Sequence, residues 1–280
     1  MGLNSLWQDE VLLIVKNLQS QTLVLSKEPY YIIKCNASFY INLISTKNQY
    51  QPNEIALLQE QFKADGIFLI HIWEDVWLSK KEQVISRIHS FLGLNKSFHG
   101  RKAKVITLSL DEISNFLNAH HLQGYIKAKY NFGLIADGEI IAAANFSDTR
   151  SMKDKGDSYL SAELVRFASI DGVTIVGGLS KLIKHFLKQV KVNDLMTYAD
   201  RDWSIGKGYD KLGFELTAIT TPAFLYLDQE SLIRYFPHRL PKKVLADFEN
   251  QAILNLEDYL AANNFIKIFN TGNLKYHLYQ

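Results

Sequence analysis

Cysteine is nearly absent from this sequence. The single Cys35 among 280 residues excludes an internal disulfide and any zinc site built on cysteines. It fits a reducing compartment, so a cytoplasmic location is expected. An excess of one charge is missing as well. Lys and Arg number 31 against 29 Asp and Glu, a net of +2 that argues neither for nor against nucleic acid. No apolar run reaches the ~18 residues of a membrane span. The N-terminal residues lack a basic stretch followed by an apolar core and a small-residue cleavage site, so no signal peptide is expected. No internal repeat or low-complexity tract is visible. What is present is apolar: 47% hydrophobic and 12% aromatic residues, enough to bury real cores and unlike a disordered chain. At about 150 residues per domain, the length implies roughly two domains.

The chain reads as three segments: 1–100, 101–233 and 234–280. In the first, Val11 to Leu18 is helical and short strands follow at Gln21 to Leu25, Tyr30 to Lys34 and Ser38 to Leu43. Ile55, Leu58 and Phe62 share a helix face that Gly66 ends, and Ile67 to Ile72 is a buried strand. Ser79 and Glu82 form a capping box ahead of Val84, Ile85, Ile88 and Phe91, and Asn95 to Gly100 reads as a linker. The second segment opens with a strand at Lys104 to Leu108. A capping box of Ser109 and Glu112 follows, with Ile113, Phe116 and Leu117 inward. Asp137-Gly138 is a strong hairpin signal between Phe132 to Ala136 and Glu139 to Phe146. Ser147 to Asp157 is polar and a candidate mobile loop. Strands at Ser161 to Ser169, Leu195 to Ala199, Phe214 to Thr217 and Ala223 to Asp228, with a helix from Gly178 to Val190, imply an α/β or α+β sheet domain. In the third segment a basic patch (Arg234, His238, Arg239, Lys242, Lys243) precedes a helix at Leu256 to Ala262. Ile266 to Phe269 and Leu274 to Tyr279 read as a hairpin around Asn270 to Asn273.

Two features carry candidate chemistry. A strand through Glu163 and Arg166 leads to Asp171-Gly172 and then Gly177-Gly178 at a helix start. Glycines admit close backbone approach, and free amides at a helix N-terminus bind phosphate oxygens. Ser180, Lys181 and Lys184 add donors and positive charge. The alternative is an ordinary strand-to-helix turn that needs glycine for its dihedrals. Tyr209 sits in a short helix after a strand end, where ligands bind in open α/β sheets, and its hydroxyl is a candidate proton donor to a leaving thiolate. The alternative is a core tyrosine.

The hairpin at Asp137-Gly138, the strand through Arg166, the turn Val176-Gly177-Gly178 and Tyr209-Asp-Lys-Leu-Gly-Phe214 come in the order of a known family. Residues 101 to 230 resemble the GNAT superfamily of acyl-CoA-dependent N-acetyltransferases. The resemblance implies that Val176, Gly177, Gly178, Leu179, Ser180, Lys181 and Leu182 hold the pyrophosphate of acetyl-CoA or a related acyl-CoA, and that Tyr209 is the general acid. Where the family's turn begins with Arg or Gln and spaces its glycines, this chain has Thr174 and adjacent glycines. No metal is implied. The expected activity is transfer of an acyl group, of acetyl type, to an unknown amine by direct attack on the CoA thioester. The alternative is a non-catalytic scaffold that binds DNA or protein.

A narrower resemblance covers most of the chain. His121-Leu-Gln-Gly124, Tyr198-Ala-Asp-Arg-Asp-Trp-Ser204 and Gly272-Asn-Leu-Lys-Tyr276 are similar to a module of phage-encoded proteins that pair a nuclease-like domain with a GNAT-like domain. Asp65 to Trp77 and Lys80 to Ile88 are similar to the end of that nuclease domain, which resembles very-short-patch-repair endonucleases of the PD-(D/E)XK type. Such a site needs clustered carboxylates for Mg²⁺. Tyr30 to Tyr40 offers none, and Glu74 and Asp75, adjacent on a strand, would point to opposite faces. A degenerate, non-catalytic domain is therefore expected.

On the acceptor side, Asp200 is a candidate base, Arg201 a candidate grip on phosphate or carboxylate, and Trp203 a stacking or packing residue. His120 and His121 end a helix; one is a candidate general base, the alternative being helix C-terminal capping. Glu163 and Arg166 form an ion pair or face the acceptor. Arg101, Lys102, Lys104 and the patch from Arg234 to Lys243 are candidate phosphate-backbone contacts or a solvated surface. No membrane partner is expected.

Overall fold

Apolar periods of two and of 3.6 set the elements of the computed structural model, which describes residues 4–27, 29–250 and 255–280. First come α1 (Asn4–Leu18), β1 (Leu23–Lys27), β2 (Tyr30–Lys34), β3 (Phe39–Ile44), α2 (Pro52–Ala64), β4 (Phe68–Trp73) and α3 (Glu74–Phe91). Next are β5 (Lys96–His99), β6 (Lys104–Thr107), α4 (Leu110–His120), β7 (Tyr130–Ala136), β8 (Glu139–Phe146), β9 (Arg150–Ser151) and β10 (Leu160–Ser169). β11 (Val173–Val176) leads into α5 (Gly178–Gln189), β12 (Asp194–Asp200) and the one-turn α6 (Lys207–Asp210). The last are β13 (Glu215–Ile219), β14 (Phe224–Asp228), β15 (Ile233–Tyr235), α7 (Lys242–Glu249), α8 (Leu256–Ala262), β16 (Phe265–Phe269) and β17 (Asn273–Tyr279). The fold is mixed α/β.

The chain divides into two compact units. One comprises residues 1–79, 200–204 and 220–273; the other comprises 80–199, 205–219 and 274–280. The C-terminal segment read from the sequence as one piece is shared between them. The reason lies at Asn270 to Asn273, which is not a hairpin turn. Its polar groups bond to other segments: Thr220 N–H to the Asn273 carbonyl at 2.9 Å, Thr271 Oγ1 to Asp202 at 2.6 Å and Arg201 N–H to the Gly272 carbonyl at 3.2 Å. β16 pairs with β14 and β17 with β13, in different sheets.

The first unit has a sheet of order β1-β2-β3-β4 and a three-stranded sheet β15-β14-β16. Ile55, Leu58 and Phe62 of α2 are all buried, as their spacing predicts. Ser79 does not cap a helix. α3 starts five residues earlier, at Glu74, and kinks at Lys80, where φ is −137°. The Ser79 hydroxyl donates back to the Asp75 carbonyl at 2.6 Å.

The second unit is built on the sheet β13-β17-β12-β10-β8-β7-β6. The hairpin at Asp137 (φ 52°) and Gly138 (φ 85°) joins β7 to β8, and Ser109 and Glu112 form the expected capping box on α4. α5 buries Leu182, Ile183 and Phe186 against one face. The Asn95 to Gly100 segment is not a linker: β5 pairs in parallel with β11. The polar stretch from Ser147 to Asp157 contains β9, paired with the start of β10.

The two units share an element order that the sequence did not reveal. Each has a helix, three antiparallel strands, a crossover helix and a fourth strand parallel to the third: α1-β1-β2-β3-α2-β4 and α4-β7-β8-β10-α5-β12. They differ at the parallel pair. β3 and β4 stay in register from Phe39 and Phe68 to Ile44 and Trp73, whereas β10 and β12 pair only from Ser161 and Asp194 to Leu164 and Thr197.

Candidate functional site

The parting of β10 and β12 is the central feature of the second unit. β10 runs on to Ser169 and β12 to Asp200, yet their ladder ends at Leu164 and Thr197. A bulge at Val165 shifts the register of β10 on β8 between Leu164 and Arg166. An extra residue adds twist and swings a strand away from its neighbour. Beyond it, β10 has no ladder partner on β12, and an extended ligand can pair with such an edge. The bulge also decides which way side chains point. Leu164 lies opposite Phe146 and Arg166 opposite Asn145. Glu163 and Arg166, three residues apart, therefore share one face instead of alternating.

The glycine turn enters α5 from β11, and its two glycines have different reasons. Gly177 is left-handed at φ 71° with open space where a Cβ would be. Gly178 is packed: a Cβ there would meet Ile175 Cγ2 at 2.6 Å. The backbones of Gly178 and Gly100 also lie close together, since a Cβ on Gly100 would lie 3.0 Å from Gly178. The first amides of α5 lack intrahelical acceptors. They border an open concavity of about 440 Å³ lined by Val176, Gly177 and Ser180 together with His99, Arg101, Lys181, Lys184, His185 and Lys188. Basic groups and no acid line this space, an environment that fits a polyphosphate.

Three residues assigned to carrier binding have side chains engaged elsewhere. Lys181 Nζ donates to the carbonyls of Gly100 at 3.2 Å and Ala103 at 2.5 Å, tying α5 to the turn before β6. The Leu182 side chain is fully buried in the core and Leu179 packs against the same cluster, so neither side chain is offered to a ligand. Val176 is 47% exposed at the mouth.

Tyr209 lies in α6 against Phe214 and Tyr276, with ring centroids 5.5 and 5.4 Å away. Burial raises its pKa, against the pull of a hydrogen bond with Thr197 and of Arg87 and Arg166. It is a phenol kept protonated, bonded to the last paired residue of β12. Gly206 at φ 82° allows this placement, because a Cβ there would fall on the Tyr276 hydroxyl. His121 caps α4 through its backbone N–H, which donates to the Leu117 carbonyl. Its Nδ1 accepts from Gln123 N–H at 3.1 Å, which leaves the proton on Nε2. Burial, with Arg166 and Arg87 near, pushes its pKa down to about 3. The ring is thus neutral, with Nε2 left as a donor. Glu163 is half-buried, and burial raises its pKa against Arg150, Arg166 and Lys275.

Asp200, Arg201, Trp203, Glu74, Asp75 and Arg234 fall in the first unit. Asp200 Oδ1 accepts from Asp202 N–H at 3.0 Å. Arg201 is buried, ion-paired with Glu60 at 2.7 Å and donating to the Thr271 carbonyl at 3.2 Å. Trp203 is buried too. Arg201 and Trp203 therefore pack the first unit. Glu74 and Asp75 open α3 instead of lying on a strand. Glu74 accepts from Thr46 N–H and Oγ1 at 2.9 and 3.0 Å. Arg234, read as part of a surface patch, binds Asp75 through two bonds of 2.6 and 2.7 Å and lies over the Trp73 ring. Sequence reasoning missed Asp75 and Asp202 as buried acids because their partners are 159 and 69 residues away. Among the described residues no group of three His, Cys, Asp or Glu side chains is placed to hold a metal ion, and no helix is long and apolar enough to cross a membrane.

No protein-family model matches the sequence, and no curated protein matches it. Solved structures similar to it include a GNAT family acetyltransferase from Elizabethkingia anophelis with acetyl-CoA bound, at 13% identity over 64% of this chain and 99% of that one, with a TM-score of 0.37. An IAA acetyltransferase from Bacillus cereus is 15% identical over the same shares, with a TM-score of 0.36. An acetyltransferase from Bacillus subtilis in complex with CoA is 13% identical, again over 64% and 99%, with a TM-score of 0.33.

Proposed function

We propose that this protein is an acyl-CoA-dependent N-acyltransferase of the GNAT type. The observation that carries the reading is the parting of β10 and β12 at Leu164 and Thr197, in the same unit as the basic concavity at the start of α5. The amides after Gly177, with Lys184, Lys188 and Arg101, bind the phosphates of the carrier. The free edge of β10 receives its extended arm. Glu163 takes one proton from the acceptor ammonium, and the amine attacks the thioester carbon. The carbon–sulfur bond breaks, Tyr209 gives its proton to the departing sulfur, and the second proton of the former ammonium restores the phenol. No covalent enzyme intermediate is needed. The lone thiol, Cys35, is fully buried with its pKa pushed up to about 12. The first unit is non-catalytic in this scheme, with Glu74 and Asp75 both committed to structural bonds.

Calorimetric titration of acetyl-CoA tests the carrier site. Lys184 and Lys188 are exposed, so a Lys184→Glu, Lys188→Glu variant should fold and lose most of the affinity. Absence of binding by the folded wild type would sink the reading. Tyr209→Phe should slow transfer by about 10²–10⁴-fold, the usual range for a lost general acid, while CoA affinity is unchanged. Unchanged turnover would make Tyr209 a packing residue. The same basic concavity also favours a second reading, a scaffold that binds nucleic-acid phosphates without catalysis. It predicts salt-sensitive DNA binding and no thioester consumption.

A further inference from the structure

We propose that the acceptor is a small amine with a carboxylate beside its amino group, an amino-acid-type zwitterion, bound on the open sheet face around Glu163. The proposal rests on the acyltransferase reading above and names the substrate class of that site.

Strand register fixes the face. Phe146, Leu164 and Leu195 belong to the core under α5. Glu163 therefore points the other way, and so does its partner Met196. Ser161 is two residues before Glu163, and Arg150 is its antiparallel partner, so Arg150 shares this face. On β17, Tyr276 enters the core, so Lys275 is on the open side as well. β10, β12 and β17 are neighbours in the sheet. α4 covers the β8 end of this face, where Phe116 and Leu117 meet Ala143 and Ala168. Around Met196 and Tyr198 the face is open, with Tyr198 40% exposed.

The charges there form an incomplete set. Glu163 lies within electrostatic reach of Arg150, Arg166 and Lys275, but among the described residues Glu163, Arg150 and Lys275 form no ion pair within 4 Å. The next carboxylate on the face is fully used: Asp194 accepts from Ser161 at 2.5 Å, Tyr159 at 2.7 Å and Lys155 at 3.3 Å, with His277 at 3.3 Å. Glu163 and Lys275 are half-buried and Arg150 is exposed beside them; half-buried charges without an ion-pair partner are unfavourable and call for a ligand that completes them. A zwitterion does so: its ammonium meets Glu163, and its carboxylate meets Arg150 or Lys275. A plain amine satisfies Glu163 and leaves both cations alone. The N-terminus of a peptide also lacks the adjacent carboxylate.

The test is calorimetric titration of the full chain, with and without CoA, using the twenty L-amino acids. Each amino acid that binds is compared with its decarboxylated amine and its carboxamide. At least one amino acid should bind, with both analogues weaker by about tenfold or more. In Arg150→Ala or Lys275→Ala that gap should shrink below about threefold. Arg150 is exposed, so its variant remains informative if Lys275→Ala fails to fold. Binding of no amino acid, or equal binding of acid and amine, overturns the proposal. A parallel acetyl-CoA titration separates the two readings: CoA binding without an amino acid site sinks only the acceptor class, whereas loss of CoA binding sinks the transferase.

Discussion

Gly206 ties the backbone to the position of Tyr209, and replacing it tests that link. Gly206→Ala suffers two separate costs. At φ 82° any non-glycine residue is in the left-handed region, which costs about 1–2 kcal/mol. The new methyl would also land on the hydroxyl and ring of Tyr276. That ring is 2% exposed and touches Tyr209, so it has little room to move; overpacking of this kind costs about 1–3 kcal/mol. The whole change should destabilise by about 2–5 kcal/mol, a drop of several degrees or more in melting temperature. Gly138→Ala is the control, with φ 85° and no atom within 4 Å of the added carbon. It has the dihedral cost alone. Urea denaturation of both variants and of Gly206→Ala with Tyr276→Phe checks the reasoning. The double variant should recover part of the loss, because the hydroxyl is the nearest obstacle. If Gly206→Ala costs no more than Gly138→Ala, Gly206 does not fix the approach of α6 to Tyr276, and the account of how Tyr209 is placed is wrong.

The first unit offers two further tests. Arg234→Ala leaves Asp75 buried, its side chain 2% exposed, without its two-bonded partner. The loss should be about 3–5 kcal/mol by denaturant titration, and a loss below about 1 kcal/mol would return Arg234 to the surface patch read from the sequence. Asp202 has its pKa raised from 3.8 to about 7 by burial and by Asp200, against its bonds to Thr271 and the charge of Arg234. The folded chain then holds a proton that the unfolded chain releases, so this contribution to stability is full below pH 3.8 and is lost as pH rises through about 7. Asp202→Asn should flatten the pH dependence of stability across that window; an unchanged slope would refute the assignment.

Local periodicity by itself determined the mixed α/β class, the α2 and α4 faces, the capping box at Ser109 and the hairpin at Asp137-Gly138. Each of these depends on residues within a few positions of one another. The glycine turn and Tyr209 were legible for the same reason, since a positive φ and a strand-end tyrosine are local signatures. Only the tertiary structure decided that Gly177 is a conformational glycine and Gly178 a packing one, because a Cβ on Gly178 would meet Ile175 and Leu134 whereas one on Gly177 would meet nothing. It also assigned Lys181, Arg201 and Arg234 to internal bonds, and it divided the C-terminal segment between two units. Glu163, Arg150 and Lys275 come together from three strands, and the bulge at Val165 that opens β10 from β12 appears only when β8 is beside it. Pairing between distant strands has no signature in the residues next to it, so the face and the opening of the site belong to the fold.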